Sequence, residues 1–250
     1  MMIKTVILVG GLGTRLRSIT EDQTPKPMVP VPFEGKSYPF LEFLMAHMRQ
    51  SGLHHVIFCT GHLSSVIHDH FGDGSQFGMT IEYDNAGELA GTASRVKSAV
   101  RLFDEQEVIV TCGDVYHPID FNQLIVKHRA GDQSSLLLSV YMDKDEHAIA
   151  NLIVNRSTGI VTHYSNSGVY GVGAGVDAGI FVMNKQVLKY WPEGVDISLV
   201  KDLYPILITH GLLMGNVSGA AFFDIGTPTD YRRFCEFVKL NKVIPLSLLD

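Results

Sequence analysis

The sequence predicts an α/β protein, Rossmann-like, with a mostly parallel mixed sheet flanked by helices on both faces. Three observations carry this. Short apolar runs alternate with segments of helical apolar spacing through about the first 130 residues; the first run, VILV at 6–9, is apolar throughout, as in a strand buried on both faces; and it stops abruptly at Gly10, Gly11 and Gly13. Strands joined by helices require right-handed crossovers, which make neighbouring strands parallel and place helices on both sides.

Taken in order, 39–51 carries Phe40, Leu41, Phe43, Leu44, Ala46, His47 and Met48 at helical spacing, with Gly52 as its cap, and HVIFCT at 55–60 reads as the second strand. A short helix is expected at 63–71, a strand at 79–83, a helix at 93–103 and, at 107–112, the most apolar and most central strand, EVIVTC. The second half is less regular. It offers strands at 135–141, 151–155, 159–164, 176–183 and 220–225, a helix at 198–210 and a C-terminal helix at 227–240. The glycine-rich stretch 165–179 is the one candidate mobile loop: an ordinary connection, or a loop near the strand ends that closes over substrate. With no repeat or Pro/Ser linker, one domain spanning 1–250 is expected, in two halves of about 1–130 and 131–250.

Composition narrows the class. A 250-residue chain with 46% apolar and 18% charged residues can bury a sizeable core. The net charge of −6 argues against general affinity for nucleic acid or anionic lipid, so any cationic site has to be local. Cys59, Cys112 and Cys235 are odd in number and far apart, which reads as three small core residues in a reducing cytosol. No apolar stretch approaches the ~20 residues of a membrane span, and the N-terminal apolar run leads straight into the glycines. A soluble, unprocessed, cytoplasmic protein is expected, with homo-oligomerisation left open.

The chemistry gathers around the glycines. A buried strand ending in Gly10, Gly11 and Gly13 presents backbone N–H groups to an anion; Thr14 adds a hydroxyl, Arg15 a planar cationic fork, and Lys26, between Pro25 and Pro27, a charge on a stiffened segment. Gly-Gly-x-Gly alone is common in ordinary turns. There is no G-x-x-x-x-G-K-[ST], and Leu16 stands where a dinucleotide fold would have its third glycine. Two carboxylates follow strands in the same manner: Asp114 in CGDVYHPID after the 107–112 strand, and Asp224 in FFDIGTPTDY before a Gly-Thr-Pro turn. Carboxylates on two strand ends can share one Mg²⁺, which keeps water and phosphate in its other positions. Asp120 reads as the cap of the helix starting at Phe121, and His54, His55, His62, His68 and His70 as structural or exposed.

GGLGTRL followed by PKPM resembles the signature of the sugar-1-phosphate nucleotidylyltransferases, which make nucleotide sugars from an NTP and a sugar 1-phosphate. The resemblance runs from about residue 6 to 234 and implies the GT-A-like nucleotidyltransferase fold, with the NTP in the first half and the sugar phosphate in the second. It assigns Arg15 and Lys26 to the reacting phosphates, and Val9, Gly10, Gly11, Gly13 and Thr14 to the nucleotide. ELAGTASRVKSA (88–99) matches the segment that touches the base, which adds Gly91 and Thr92. The GD and D-x-G-T-P strings give Asp114 and Asp224 to the catalytic Mg²⁺. VDAGIFVMNKQVL (176–188) and SLVKDLYPILITHGLLMG (198–215) look like the sugar side, which adds Asp177, Gly179 and Lys201.

Two departures stand out. Ser165, Asn166 and Ser167 replace the Glu-Lys-Pro that many members use for the sugar and its phosphate, and Asp177 stands for a common Asn. Lys201, Arg95 or Arg156 is expected to supply the missing charge. Length, FGDGSQFGMTIEY (71–83) and PFLEF look nearest the heptose 1-phosphate guanylyltransferases. The resemblance leaves cytidylyl, thymidylyl or uridylyl transfer, a nucleotide-sugar-dependent glycosyltransferase and a non-catalytic relative as alternatives.

Overall fold

The first apolar run is strand β1 (Lys4–Leu8), in which Val6 and Ile7 have no exposed surface. The computed structural model describes residues 3–11, 13–87, 90–102, 104–131, 135–142, 148–194 and 196–249. Beyond β1 come α1 (Arg17–Thr20), β2 (Pro30–Phe33), β3 (Lys36–Pro39), α2 (Phe40–Gln50), β4 (His55–Cys59), α3 (Ser64–Phe71), β5 (Thr80–Asp84) and α4 (Thr92–Val100). They are followed by β6 (Glu107–Cys112), β7 (Val115–Tyr116), α5 (Phe121–Ala130), β8 (Leu136–Tyr141), β9 (Leu152–Val154), β10 (Val161–Tyr164) and β11 (Ala174–Asn184). The chain finishes with α6 (Tyr204–Thr209), β12 (Leu213–Ser218), β13 (Phe223–Asp224) and α7 (Pro228–Asn241).

Among the described residues the main sheet has nine strands, and its order through the first half is β6-β1-β4-β5, all parallel. The chain moves from β1 outward to β4 and β5, then returns through α4 to β6 on the other side of β1. That reversal opens a crevice at the carboxyl ends of β1 and β6, the place where ligands bind in open α/β sheets. β11 runs antiparallel to β6, β8 and β9, and β12 pairs parallel with β8, so the sheet is mixed as expected. One face is covered by α2, α3 and α5, the other by α4 and α6, each over its own apolar cluster.

A third cluster lies beside the sheet. Phe40 and Phe43 of α2, Tyr116 of β7, Phe223 of β13 and Phe234 of α7 meet there, and the Phe234 ring lies 4.6 Å from Phe40 and 5.2 Å from Tyr116. Offset and edge contacts of this kind add to the burial of the rings. This cluster fixes α7 against the ladder that carries Asp224.

Several expectations change. The β2–β3 hairpin was not expected: its prolines read against a strand, and its turn uses Glu34 and Gly35, both at positive φ, in place of the usual Asn-Gly. β12 hides in a run interrupted by Gly215. The strand expected at 220–225 forms only the two residues of β13. The expected helix at 198–210 opens as a wide π-turn, Leu199–Leu203, before α6; Pro205, at the start of α6, has no N–H to continue a regular ladder. The stretch 165–179 is not all loop, because β11 starts at Ala174. Phe103 and the first two residues of the 88–99 segment lie outside the described residues, as does Leu12.

Candidate active site

The glycine loop begins where β1 ends, with the Val9 N–H donating to the Cys59 carbonyl at 3.1 Å. Gly13 takes φ 61°, which turns the chain into the short turn Thr14–Leu16 and leaves Thr14 and Arg15 exposed. Lys26 sits in a single turn opened by Pro25, with its stem against Gly13 and 8% of its surface exposed. Its Nζ donates to Asp114 Oδ2 at 2.6 Å and to Asp224 Oδ1 at 3.1 Å.

The carboxylates meet because of a two-rung ladder. β7 and β13 pair antiparallel with Asp224 opposite Val115, and the Ile225 N–H donates to the Asp114 carbonyl at 3.1 Å. Burial works against the Lys26 charge, but the two carboxylates outweigh it and hold its pKa above the ordinary lysine value. Burial pushes the Asp224 carboxyl up; Lys26 opposes the shift, Asp114 reinforces it, and Arg15 lowers it. One ammonium under two carboxylates leaves the pair short of positive charge. Arg15 stands close by: a Cβ on Gly226 would lie 3.1 Å from the Asp224 carboxylate and 3.3 Å from the Arg15 guanidinium.

Beside this cluster lies a cavity of about 510 Å³. It is lined by Val9, Gly10, Gly11, Gly13, Thr14 and Arg15, by Ala90, Gly91, Thr92 and Arg95, and by Lys26, Asp114 and Gly226. Gly91 and Thr92 are also structural. A Cβ on Gly91 would stand 2.6 Å from the Ile197 carbonyl carbon, and the Thr92 hydroxyl accepts the Leu199 N–H at 2.9 Å, so 197–199 caps the start of α4. Cys112 is a correction: it is half-buried and lines the cavity, while Cys59 is a core residue and Cys235 is half-buried. Burial and the carboxylates of Asp114, Asp177 and Asp224 hold the Cys112 thiol protonated.

Asp177 lies at the register break of β11, apart from the cavity wall. Its Oδ1 accepts the Gly179 N–H at 2.9 Å, its Oδ2 accepts the Tyr164 hydroxyl at 3.3 Å, and the Tyr204 hydroxyl also donates to it. Gly179, at φ 64°, faces Cys112. Neither tyrosine was singled out by the sequence. Burial, opposed by these hydrogen bonds, pushes the Asp177 carboxyl up to about 6 from 3.8. The folded protein therefore holds this proton more tightly than the unfolded chain, and Asp177 removes stability as pH rises through about 4 to 6. Asp177→Asn, whose amide can donate to the tyrosine oxygens, should flatten that decline and be at least as stable as the parent at neutral pH. Thermal melts between pH 4 and 7.5 check this; curves that stay parallel would reject it.

The expected replacement cations scatter. Arg95 belongs to the glycine-loop side of the cavity, with its guanidinium bonded to backbone carbonyls. Arg156 sits in the turn before β10 and lines a separate cavity with Lys127. Lys201 is exposed in the π-turn, one turn before Tyr204. Asp120 does cap α5, its carboxylate accepting the Gln123 N–H at 3.0 Å.

The switch-point crevice and its carboxylate pair put the chain among α/β enzymes that handle phosphate groups. The chain belongs to the Nucleotidyl transferase family, whose sequence profile matches residues 4–240. It is 29% identical to the D-glycero-alpha-D-manno-heptose 1-phosphate guanylyltransferase of Aneurinibacillus thermoaerophilus, over 92% of this chain and 96% of that protein. It is also 29% identical to the mannose-1-phosphate guanylyltransferase of Mycobacterium tuberculosis, over 92% of this chain but 63% of that longer protein. The crystal structure of HddC from Yersinia pseudotuberculosis complexed with GMP-PN superposes with a TM-score of 0.78 at 29% identity, covering 94% of this chain and 99% of that one. Among the described residues no helix is long and apolar enough to cross a membrane.

Proposed function

We propose that this protein transfers a nucleotidyl group from an NTP, GTP in our reading, to a heptose or hexose 1-phosphate, releasing pyrophosphate and a nucleotide sugar. The observation that carries this is Lys26 bridging Asp114 and Asp224 beside the glycine loop, cation and carboxylates gathered at the edge of a cavity of about 510 Å³. The relatives that transfer guanylyl groups to heptose and mannose 1-phosphates support the choice of base and sugar.

An oxygen of the sugar phosphate attacks the α-phosphorus in line; the new P–O bond forms as the bond to the β-phosphate breaks, and pyrophosphate carries the electrons away. The nucleophile is already an anion, so no general base is needed. The task is to bring two polyanions together, and Arg15 and Lys26 neutralise charge while the backbone N–H groups of the glycine loop receive phosphate oxygens. Among the described residues no three His, Cys, Asp or Glu side chains converge on one point. The pair Asp114 and Asp224 nevertheless fits Mg²⁺, because both donors are hard oxygens, together short of positive charge, and this ion takes its remaining ligands from phosphate and water. Bound there, Mg²⁺ supplies Lewis-acid neutralisation of the reacting phosphate.

Pyrophosphate release from each NTP paired with a panel of sugar 1-phosphates tests the reading, with GTP and a heptose or hexose 1-phosphate expected to give the fastest turnover. Silence across the whole panel would favour a non-catalytic relative. On the sugar side, Lys201 is the cation we assign to the sugar phosphate, because its π-turn leads directly into Tyr204, which donates to Asp177. Lys201→Ala should raise KM for the sugar 1-phosphate and leave NTP binding nearly unchanged. Steady-state kinetics with each substrate varied decides it, since an exposed residue without a role leaves both constants alone.

A further inference from the structure

We infer that Arg95 is a positioning residue for the nucleotide, a flat plate on which three loops of the cavity are set in register. The inference rests on the cavity of the glycine loop being the nucleotide site.

Arg95 leaves the first turn of α4 and is 6% exposed. Its Nε donates to the Ala90 carbonyl at 3.0 Å, its Nη2 to the Gly87 carbonyl at 3.0 Å, and its Nη1 to the Thr60 carbonyl. One planar group thus holds the residues that lead into Gly91, the turn that follows β4 and, by contact, the start of the glycine loop. The contact is close. A Cβ added to Gly10 would lie 2.5 Å from Nη1, and one added to Gly61 would lie 3.0 Å from Nη2 and 2.8 Å from the Gly10 carbonyl oxygen. Gly10 and Gly61 therefore pass over the guanidinium with no room for a side chain.

Only a guanidinium meets these demands. Its donors diverge in one plane at fixed angles, which suits three carbonyls arriving from two loops, Gly87 and Ala90 from one and Thr60 from the other, whereas an ammonium is a compact charge on a flexible stem. The guanidinium charge stands at the lining of the cavity, against Gly10 of the glycine loop. It stands there without spending the side chain on a substrate oxygen.

The test is made on the full-length protein. Arg95→Ala and Arg95→Lys should each raise KM for the NTP, and weaken calorimetric binding of a non-hydrolysable NTP, on the order of 10–100-fold, the scale of an ångström-level misplacement. KM for the sugar 1-phosphate should change little. Guanidinium ion, far below denaturing concentrations, should restore NTP binding to Arg95→Ala, and tetramethylammonium at the same concentration should not. Should Arg95→Ala fold poorly, Arg95→Lys keeps stem and charge and still has to show the nucleotide defect. Equal loss for both substrates, or a lowered melting temperature with intact NTP binding, overturns the inference, as does wild-type behaviour of Arg95→Lys. Failure of the parent protein to bind any NTP would overturn the nucleotide reading along with it.

Discussion

Asp114→Asn and Asp224→Asn should each leave a folded protein that transfers nucleotide slower by about three orders of magnitude, the upper end of the loss from one preorganised donor. Either change removes one hard anionic oxygen from the pair that Lys26 joins, and the neutral amide oxygen that replaces it is a weaker donor to a divalent ion. The fold should survive. Asparagine matches the shape of aspartate, and the ladder between β7 and β13 is built from backbone bonds that the substitution leaves in place. Circular dichroism and melting curves establish integrity, rate measurements the loss, and chelation by excess EDTA should reproduce that loss in the parent. Full activity of either variant, or of the parent in EDTA, would remove the metal from the mechanism.

Arg15→Ala should lower kcat on the order of 10²–10³, with a smaller change in KM for the NTP. Arg15 is exposed and lies beside Gly226 and Asp224, and on the proposed reaction it is the cation free to meet the negative charge of the departing pyrophosphate. Lysine should be a poor substitute, because it offers a single charged centre where the arginine offers a two-pronged face. A variant altered in KM alone would show that Arg15 binds the ground state and the transition state equally.

The glycine loop, Lys26 and the two aspartates were legible because each lies within a few residues of a strand end, and local sequence determines what stands there. Asp120 was legible for the same reason: a helix cap is a local event. The meeting of Asp114 with Asp224 is not local; it depends on which strands become neighbours, and the signal for that was the similarity of two strings to a family pattern. The β2–β3 hairpin escaped because prolines and a Glu-Gly turn argue against a strand pair in sequence terms, while packing of Val31 and Phe33 beneath α2 and α7 overrides them. In sequence terms Arg95 is one of three candidate cations for the sugar phosphate, because nothing local reveals that its guanidinium meets carbonyls contributed by other loops. Tyr164 and Tyr204 were missed for the same reason, being aromatic residues whose hydroxyls meet a carboxylate only after the second half has folded.

The two-rung ladder also sets when, in the life of a molecule, turnover becomes available. The parallel strands and their glycine loop are complete once the first half of the chain has left the ribosome, whereas Asp224 arrives only with β13, whose Phe223 packs on Phe234 of α7. Closing so long a loop costs only slowly more than closing a short one, but it is a late, non-local event in folding. On the proposed function, a nascent chain that has not yet supplied β13 and α7 lacks Asp224 and the ring contact that holds its ladder, and transfer is expected only once both have docked.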